Sequence, residues 1–309
     1  MSLYAPDDYA AFRCLMGRCA HTCCAGWEID VDEEARALYE ELEGPIGERV
    51  RAGLFIQPDG TASFRLDERE RCPLLDEDGL CALIREAGEG TLCDTCREHP
   101  RFYTLLEGRW EVGLGLCCEA AARQCVERAE PFRLVEAEVG EETLSAEANA
   151  FLTLRDGLFR LAEDPALPWE AMKSRLLARL ALEAPEFNAA LWRERLSDME
   201  LLDAAWPEAL DQLIASRRSA PQDMFRRAAG NLTVYFLHRH LTDGFLDDRL
   251  PETALFCLTA TDVILAIAAA LPTPTLDDLA DIARRFSAEI EYSDRNLSRM
   301  LTWVGQDIS

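Results

Sequence analysis

Leu255-Phe-Cys-Leu-Thr-Ala-Thr-Asp-Val-Ile-Leu-Ala-Ile-Ala-Ala-Ala-Leu271 is the stretch on which the fold class turns. Its apolar character suggests a membrane span, but about 17 residues are marginal for crossing a bilayer. Thr259, Thr261 and Asp262 also interrupt the run. It reads as a buried core helix, and the chain is expected to have no membrane span.

Helical spacing extends outward from this stretch in both directions. Helices are expected over 145–162, 168–183, 186–197, 199–217, 221–242, 252–271, 275–291 and 293–304. Asp164-Pro165, Pro185, Pro207, Pro221, Pro251 and Pro272-Thr-Pro274 punctuate them. No repeat of 20–50 residues is apparent. Residues 131–309 are therefore expected to form an all-helical domain.

Residues 1–130 have a different character. Asp32 to Leu42 has helical spacing, with Leu38 and Leu42 on one face, and Gly44-Pro45 closes it. Phe102-Tyr-Thr-Leu-Leu106 and Arg109-Trp-Glu-Val-Gly-Leu114, joined by Glu107-Gly108, read as a β-hairpin. Residues 119–129 look helical, with Glu119 and Arg123 four apart. The expected fold is mainly α, with a small cysteine-rich α+β part, residues 1–130, ahead of the helical domain.

The chain has 309 residues and 49% hydrophobic content, enough for a sizeable core and two domains. Its formal net charge is −25, from 57 acidic and 32 basic residues. Nucleic acid is not an expected partner, because binding phosphates requires clustered cations. An acidic surface could attract cationic partners, or could simply be solvated. Lys173 is the one lysine, so a Schiff-base mechanism would have to use it. The first residues lack the basic and apolar regions of a signal peptide, so a cytoplasmic address is expected.

Eleven of the twelve cysteines precede residue 126, and Cys257 stands apart. In a reducing compartment, thiols at this density point to metal rather than disulfides. Cys93-Asp-Thr-Cys96 has the spacing of a zinc knuckle, and Cys19-Ala-His-Thr-Cys23 is one residue wider than the usual pair. Cys72 and Cys81 need a loop to meet, and Asp78-Gly79 supplies a turn. Iron–sulfur ligation uses the same thiolates. Cys19, Cys23, Cys24, Cys72, Cys81, Cys93, Cys96 and Cys117 are the expected pool of metal ligands. Cys14, Cys125 and Cys257 fit the role of small buried hydrophobes.

Around these cysteines the chain resembles the flagellin lysine-N-methylase family. The resemblance rests on Phe12-Arg-Cys-Leu-Met-Gly-Arg-Cys-Ala-His-Thr-Cys-Cys-Ala-Gly-Trp27, on Cys72-Pro-Leu-Leu-Asp-Glu-Asp-Gly-Leu-Cys81 and on Leu92-Cys-Asp-Thr-Cys-Arg-Glu-His-Pro-Arg101. Leu114-Gly-Leu-Cys117 continues it, and Asn231-Leu-Thr-Val-Tyr-Phe236 and Ile290-Glu-Tyr-Ser-Asp-Arg-Asn-Leu297 extend it loosely. The cysteine pieces also look like those of small cysteine-cluster proteins described as zinc- or iron-chelating. The resemblance implies a bound iron–sulfur cluster (zinc being the alternative) and S-adenosylmethionine as methyl donor. The implied substrate is lysine side chains of flagellin or a similar protein.

The residues themselves carry less of this chemistry. No strand–glycine loop–helix unit for the donor is visible, and Gly113-Leu-Gly115 alone is weak evidence for one. His21 and His99 sit inside the cysteine motifs; each reads as an exposed or structural residue, with a ligand or supporting-donor role the alternative. His238 and His240, two apart on a helix, face different ways. Tyr235 and Tyr292 could line a pocket or be core residues with their hydroxyls tied off. Trp27 is expected to pack the cluster loop, and Asp76, Glu77 and Asp78 to form a solvated turn. Two functions remain: a metal-cluster-dependent lysine methylase, or a non-catalytic cysteine-cluster scaffold that stores or senses metal or redox state or chaperones a partner.

Overall fold

The structure is a computed structural model that describes residues 1–215 and 222–308. Pro221 and the 216–217 end of one expected helix lie outside them. Residues 13–101 form one compact unit, and residues 1–12 with 102–309 form a second. Each has its own hydrophobic core. The protein is mainly α, with two small sheets, as the sequence pattern indicates.

The chain opens with β1 (Ser2–Pro6), in the second unit. The smaller unit follows, with β2 (Asp30–Val31), α1 (Glu33–Glu41), α2 (Gly44–Gly53), β3 (Leu54–Ile56), β4 (Ala62–Phe64), α3 (Ala82–Ala87) and α4 (Asp94–Glu98). Its three-stranded sheet has the order β2-β4-β3, both pairs antiparallel. Asp32 caps α1 by accepting from the Ala35 N–H at 2.8 Å. Pro45 does more than close α1: it sits in the first turn of α2, where its missing N–H costs nothing. Tyr39, Val50, Leu74 and Leu83 form the small core, all essentially inaccessible.

The larger unit resumes with β5 (Arg101–Leu106) and β6 (Arg109–Leu114), the expected hairpin. Glu107 (φ 47°) and Gly108 (φ 87°) both have positive φ, as a tight two-residue hairpin turn demands. β1 pairs parallel to β6 and antiparallel to β7 (Leu134–Glu138), giving the order β5-β6-β1-β7. The helices are α5 (Glu119–Glu127), α6 (Ala146–Ala162), α7 (Trp169–Leu180), α8 (Ala189–Ser197), α9 (Trp206–Ala215), α10 (Gln222–Leu246), α11 (Leu250–Ala270), α12 (Leu276–Phe286) and α13 (Asp294–Gln306). The helix expected from 199 starts only at Trp206, and Pro207 lies in its first turn. The helix expected to run unbroken over 275–291 changes to a π-helical turn at Ser287–Glu291.

The hairpin and α5 go with the helices because their apolar faces are buried there, and the N-terminal strand joins them by pairing with β6 and β7. Leu106, Leu116, Ala122 and Val126 belong to the same core as α6, α10 and α11. α11 is the centre of that core, with α8, α9, α10, α12 and α13 packed on it. It is long and apolar enough to cross a membrane, yet 83% of its most apolar window is buried inside the protein. Phe256, Leu258, Val263, Ile264 and Ile267 are fully buried, each contributing about 1.5–3 kcal/mol relative to exposure. Thr261 and Asp262, which interrupt the apolar run, both find partners. Thr261 Oγ1 donates to the Cys257 carbonyl at 3.2 Å, and Asp262 accepts from Trp169 Nε1 at 2.6 Å and pairs with Lys173. A buried polar group satisfied this way avoids the desolvation penalty.

Candidate functional site

The smaller unit gathers sulfur. The Cys23-Cys24 loop is laid against the Cys72 segment by backbone pairing: the Cys72 N–H donates to the Cys24 carbonyl at 2.8 Å, and Ala25 bridges Arg71. Cys81 is folded back by the Asp76–Gly79 turn, whose Gly79 has φ 78°, and Leu75 bridges Cys81. That turn is held rather than merely solvated: Asp76 pairs with Arg49 at 2.7 Å and with Arg85, and these guanidiniums hold its carboxyl below the usual carboxylate range. Cys93 stands at the start of α4, one helical turn before Cys96. Asp32 accepts from the Asp94 N–H at 2.7 Å, and the Asp30 carbonyl accepts from Thr95 Oγ1 at 2.8 Å, fixing α4 on β2 and the cap of α1.

Cys24, Cys72, Cys81, Cys93 and Cys96 are close enough to act on one another's charge. Burial pushes the Cys72 thiol up to about 12, with the Cys24, Cys81 and Cys93 sulfurs adding to it. Burial likewise raises Cys81. A hydrogen bond from Cys96 lowers Cys93 to about 7, while Cys96 itself is held well above the ordinary range by that bond and by burial. A hydrogen bond from Cys23 lowers Cys24 to about 7. The set thus contains two thiols disposed to ionise beside others kept protonated, an arrangement in which a cation would be expected to release protons on binding.

None of the twelve cysteines is disulfide-bonded. The donor chemistry suits zinc or an iron–sulfur cluster. Among the described residues, however, no group of three or more His, Cys, Asp or Glu side chains stands as a ready-made metal shell. The thiols fit such a group in type and in convergence, not as a closed coordination sphere.

The remaining expected ligands are placed differently. Cys19 follows a short 3-10 turn in the same unit, and Cys23 is exposed beside Cys24. Trp27 packs the cysteine loop as expected, donating from Nε1 to the Cys23 carbonyl at 2.7 Å and lying 5.5 Å from the His99 ring. Burial lowers His99 to about 4, so its ring is neutral. Cys117 belongs to the larger unit, where it hydrogen-bonds Tyr292 and burial pushes its thiol up to about 12. Cys257 is fully buried and Cys125 donates to the Asn231 carbonyl at 3.7 Å, as small core residues do. Cys14 does not follow that expectation and is exposed.

The larger unit holds a cavity of about 60 Å³ bounded by β6, α5 and α10. Phe102, Phe132, Tyr235 and His238 supply ring walls. His238 lies 5.3 Å from both phenylalanine rings. His240, two residues on, instead meets Glu291 at 2.6 Å, so the two histidines do face apart. The Tyr235 hydroxyl is tied off, donating to Glu291 at 2.9 Å and accepting from Arg239 and the Leu116 N–H. Behind His238 is a buried ion cluster that sequence reading missed: Glu111 on β6 takes Arg155 of α6 in a two-pronged pair at 2.7 and 2.8 Å. The sequence hinted at it only in that Arg155 falls four residues after Phe151, on the buried face of α6. Gly113 is required by packing, because a Cβ there would sit 2.2 Å from Phe102 Cζ.

The chain is similar to proteins named lysine-N-methylase. The one from Salmonella typhimurium is 24% identical over 145 residues, or 45% of this chain and 36% of that protein. The one from Salmonella choleraesuis is 23% identical over 151 residues, with the same coverage of 45% and 36%. The flagellar biosynthetic protein FliU of Salmonella muenchen is 25% identical over 118 residues, covering 37% of this chain and 70% of that protein. The similarity therefore spans about a third of the length of either methylase. No family model matches the chain, and no solved structure matches it significantly.

Proposed function

We propose that this chain is a protein lysine N-methylase acting on flagellin or a similar lysine-bearing protein, and that it depends on a metal cluster held by thiolates. The similarity to proteins named lysine-N-methylase and FliU carries the reading. The gathering of Cys24, Cys72, Cys81, Cys93 and Cys96 in one unit supports the metal part, and these are the residues that would hold the cluster. Iron–sulfur is the first assignment and zinc the second; either would tie the cysteine loops together, and iron–sulfur would add electron transfer. S-adenosylmethionine is the proposed donor. The Phe102 ring packed over Gly113 argues against Gly113-Leu-Gly115 as its site.

The test is methyl transfer by full-length protein purified without oxygen, given S-adenosylmethionine and flagellin, read by mass spectrometry of flagellin lysines. Methylated lysines are expected. No transfer by metal-loaded protein would overturn the enzyme reading in favour of a non-catalytic thiol scaffold. Iron and acid-labile sulfide should copurify, and Cys72→Ser or Cys96→Ser should lower both; unchanged stoichiometry would remove that residue from the ligand set.

A further inference from the structure

His238 is a buried polar side chain on the wall of the cavity between β6, α5 and α10, at 2% exposure. Its Nε2 has no hydrogen-bond partner among the described residues and stands 3.6 Å from Glu111 Oε2. Burial lowers the ring to about 4 against the pull of the Glu111 carboxylate, with Arg155 and Arg109 adding to the lowering. A neutral imidazole that turns Nε2–H toward the Glu111 carboxylate keeps Nδ1 as an acceptor. The ring thus adds a neutral hydrogen-bond acceptor to a wall of aromatic side chains.

The charges around the cavity discriminate strongly between ligands. Arg128 is the cation on its wall, and it already pairs with Asp8 at 2.6 Å and with Asp7. Glu111 is committed to Arg155 and Arg109, and Glu291 to Arg239 and His240. The Phe102 and Phe132 faces already carry Arg239 and Arg128, at 5.1 and 5.2 Å from the ring centres. Among the described residues, Asp8 is the carboxylate on the wall, and it already holds Arg128. The low polarity of the wall disfavours a charged amine and favours its neutral form.

We propose that this cavity is a pocket for an uncharged primary alkylamine, the deprotonated end of a lysine side chain, with His238 accepting a hydrogen bond from it. The methylene stem lies along Phe102, Phe132 and Val234, and the nitrogen keeps its lone pair, which attack on a methyl carbon requires. This deepens the methylase reading and rests on it for the identity of the amine as lysine. The other titratable groups on the wall, Asp8, Tyr9, Cys125 and Tyr235, are each engaged with a partner.

The test uses full-length protein and n-butylamine, followed by saturation-transfer NMR and calorimetry from pH 7 to 9. Only the neutral amine should bind, so apparent affinity should rise about tenfold per pH unit while the solution stays below the ordinary amine pKa of about 10.4. n-Butanol should bind without that slope, and n-butyltrimethylammonium should not bind. His238→Phe should weaken the amine about tenfold, or about 1.4 kcal/mol; if it fails to fold, Ala121→Leu, which fills the cavity, should abolish binding. A flat pH profile, equal binding of the quaternary ammonium, or indifference to both variants overturns the pocket. Amine binding without methylation of flagellin would sink the methylase reading alone, whereas methylation indifferent to Ala121→Leu would sink the pocket alone.

Discussion

Replacing Glu111 by Gln tests whether the larger unit is held by a buried ion pair. Glu111 and Arg155 are 3% and 1% exposed, so neither charge has water to fall back on. Against the burial that would raise it, the Arg155 guanidinium holds the Glu111 carboxyl down to about 2, with help from Arg109. Against an ordinary value of 4.5, that is about 2.5 units, or about 3 kcal/mol at 1.36 kcal/mol per unit. Stripping one partner from a buried pair costs about 3–5 kcal/mol by mutational precedent, in agreement. Because the folded value lies below the unfolded one, this stability is present above pH 4.5 and is lost as pH falls toward 2. Urea unfolding followed by tryptophan fluorescence should therefore show Glu111→Gln about 3–5 kcal/mol less stable at pH 7, with the gap narrowing at pH 3. The double variant Glu111→Leu/Arg155→Met should recover most of the loss. A gap under about 1 kcal/mol at pH 7, of the size of a surface pair, or one that does not narrow in acid, would refute the reasoning.

Two further predictions concern the same unit. Burial raises the Glu289 carboxyl to about 7, although the Leu202 and Asp203 N–H groups donate to it at 3.0 and 2.8 Å. Its folded value exceeds its unfolded one, so its contribution is fully present below about pH 4.5 and is lost as pH rises through 7. Glu289→Gln keeps the accepting oxygen and should flatten the stability slope between pH 5 and 8; an unchanged slope in urea titrations would assign it to another group. Gly113→Ala forces a Cβ into the Phe102 ring and should cost about 1–3 kcal/mol as overpacking does. A melting temperature equal to that of the parent would show that Phe102 yields without cost.

Much of the architecture was legible in residue order. The apolar run at 255–271 declared a core helix, because Asp262 within it could be tolerated only with a partner such as Lys173. Gly108 declared a hairpin turn because glycine accepts positive φ without strain, and Glu107 takes positive φ beside it. Cysteine spacing picked out the sulfur-rich unit, and its knuckle at Cys93 and Cys96 is a local property of one short helix. Prolines were harder to read: Pro45, Pro207 and Pro251 open helices as well as separating them, since a first-turn proline loses no hydrogen bond.

The sequence by itself determined the elements, the apolar core helix and the supply of thiols, because periodicity, turn chemistry and ligand spacing act over a few residues. Only the tertiary structure decided which thiols come together, with Cys24, Cys72, Cys81, Cys93 and Cys96 in one unit and Cys117 beside Tyr292 in the other. It also decided that Glu111 meets Arg155, 44 residues away, and that His238 lines a cavity while His240 does not. The reason is physical: charges and sulfurs far apart in the chain meet only when apolar faces collapse around them, and no local pattern records which faces will meet.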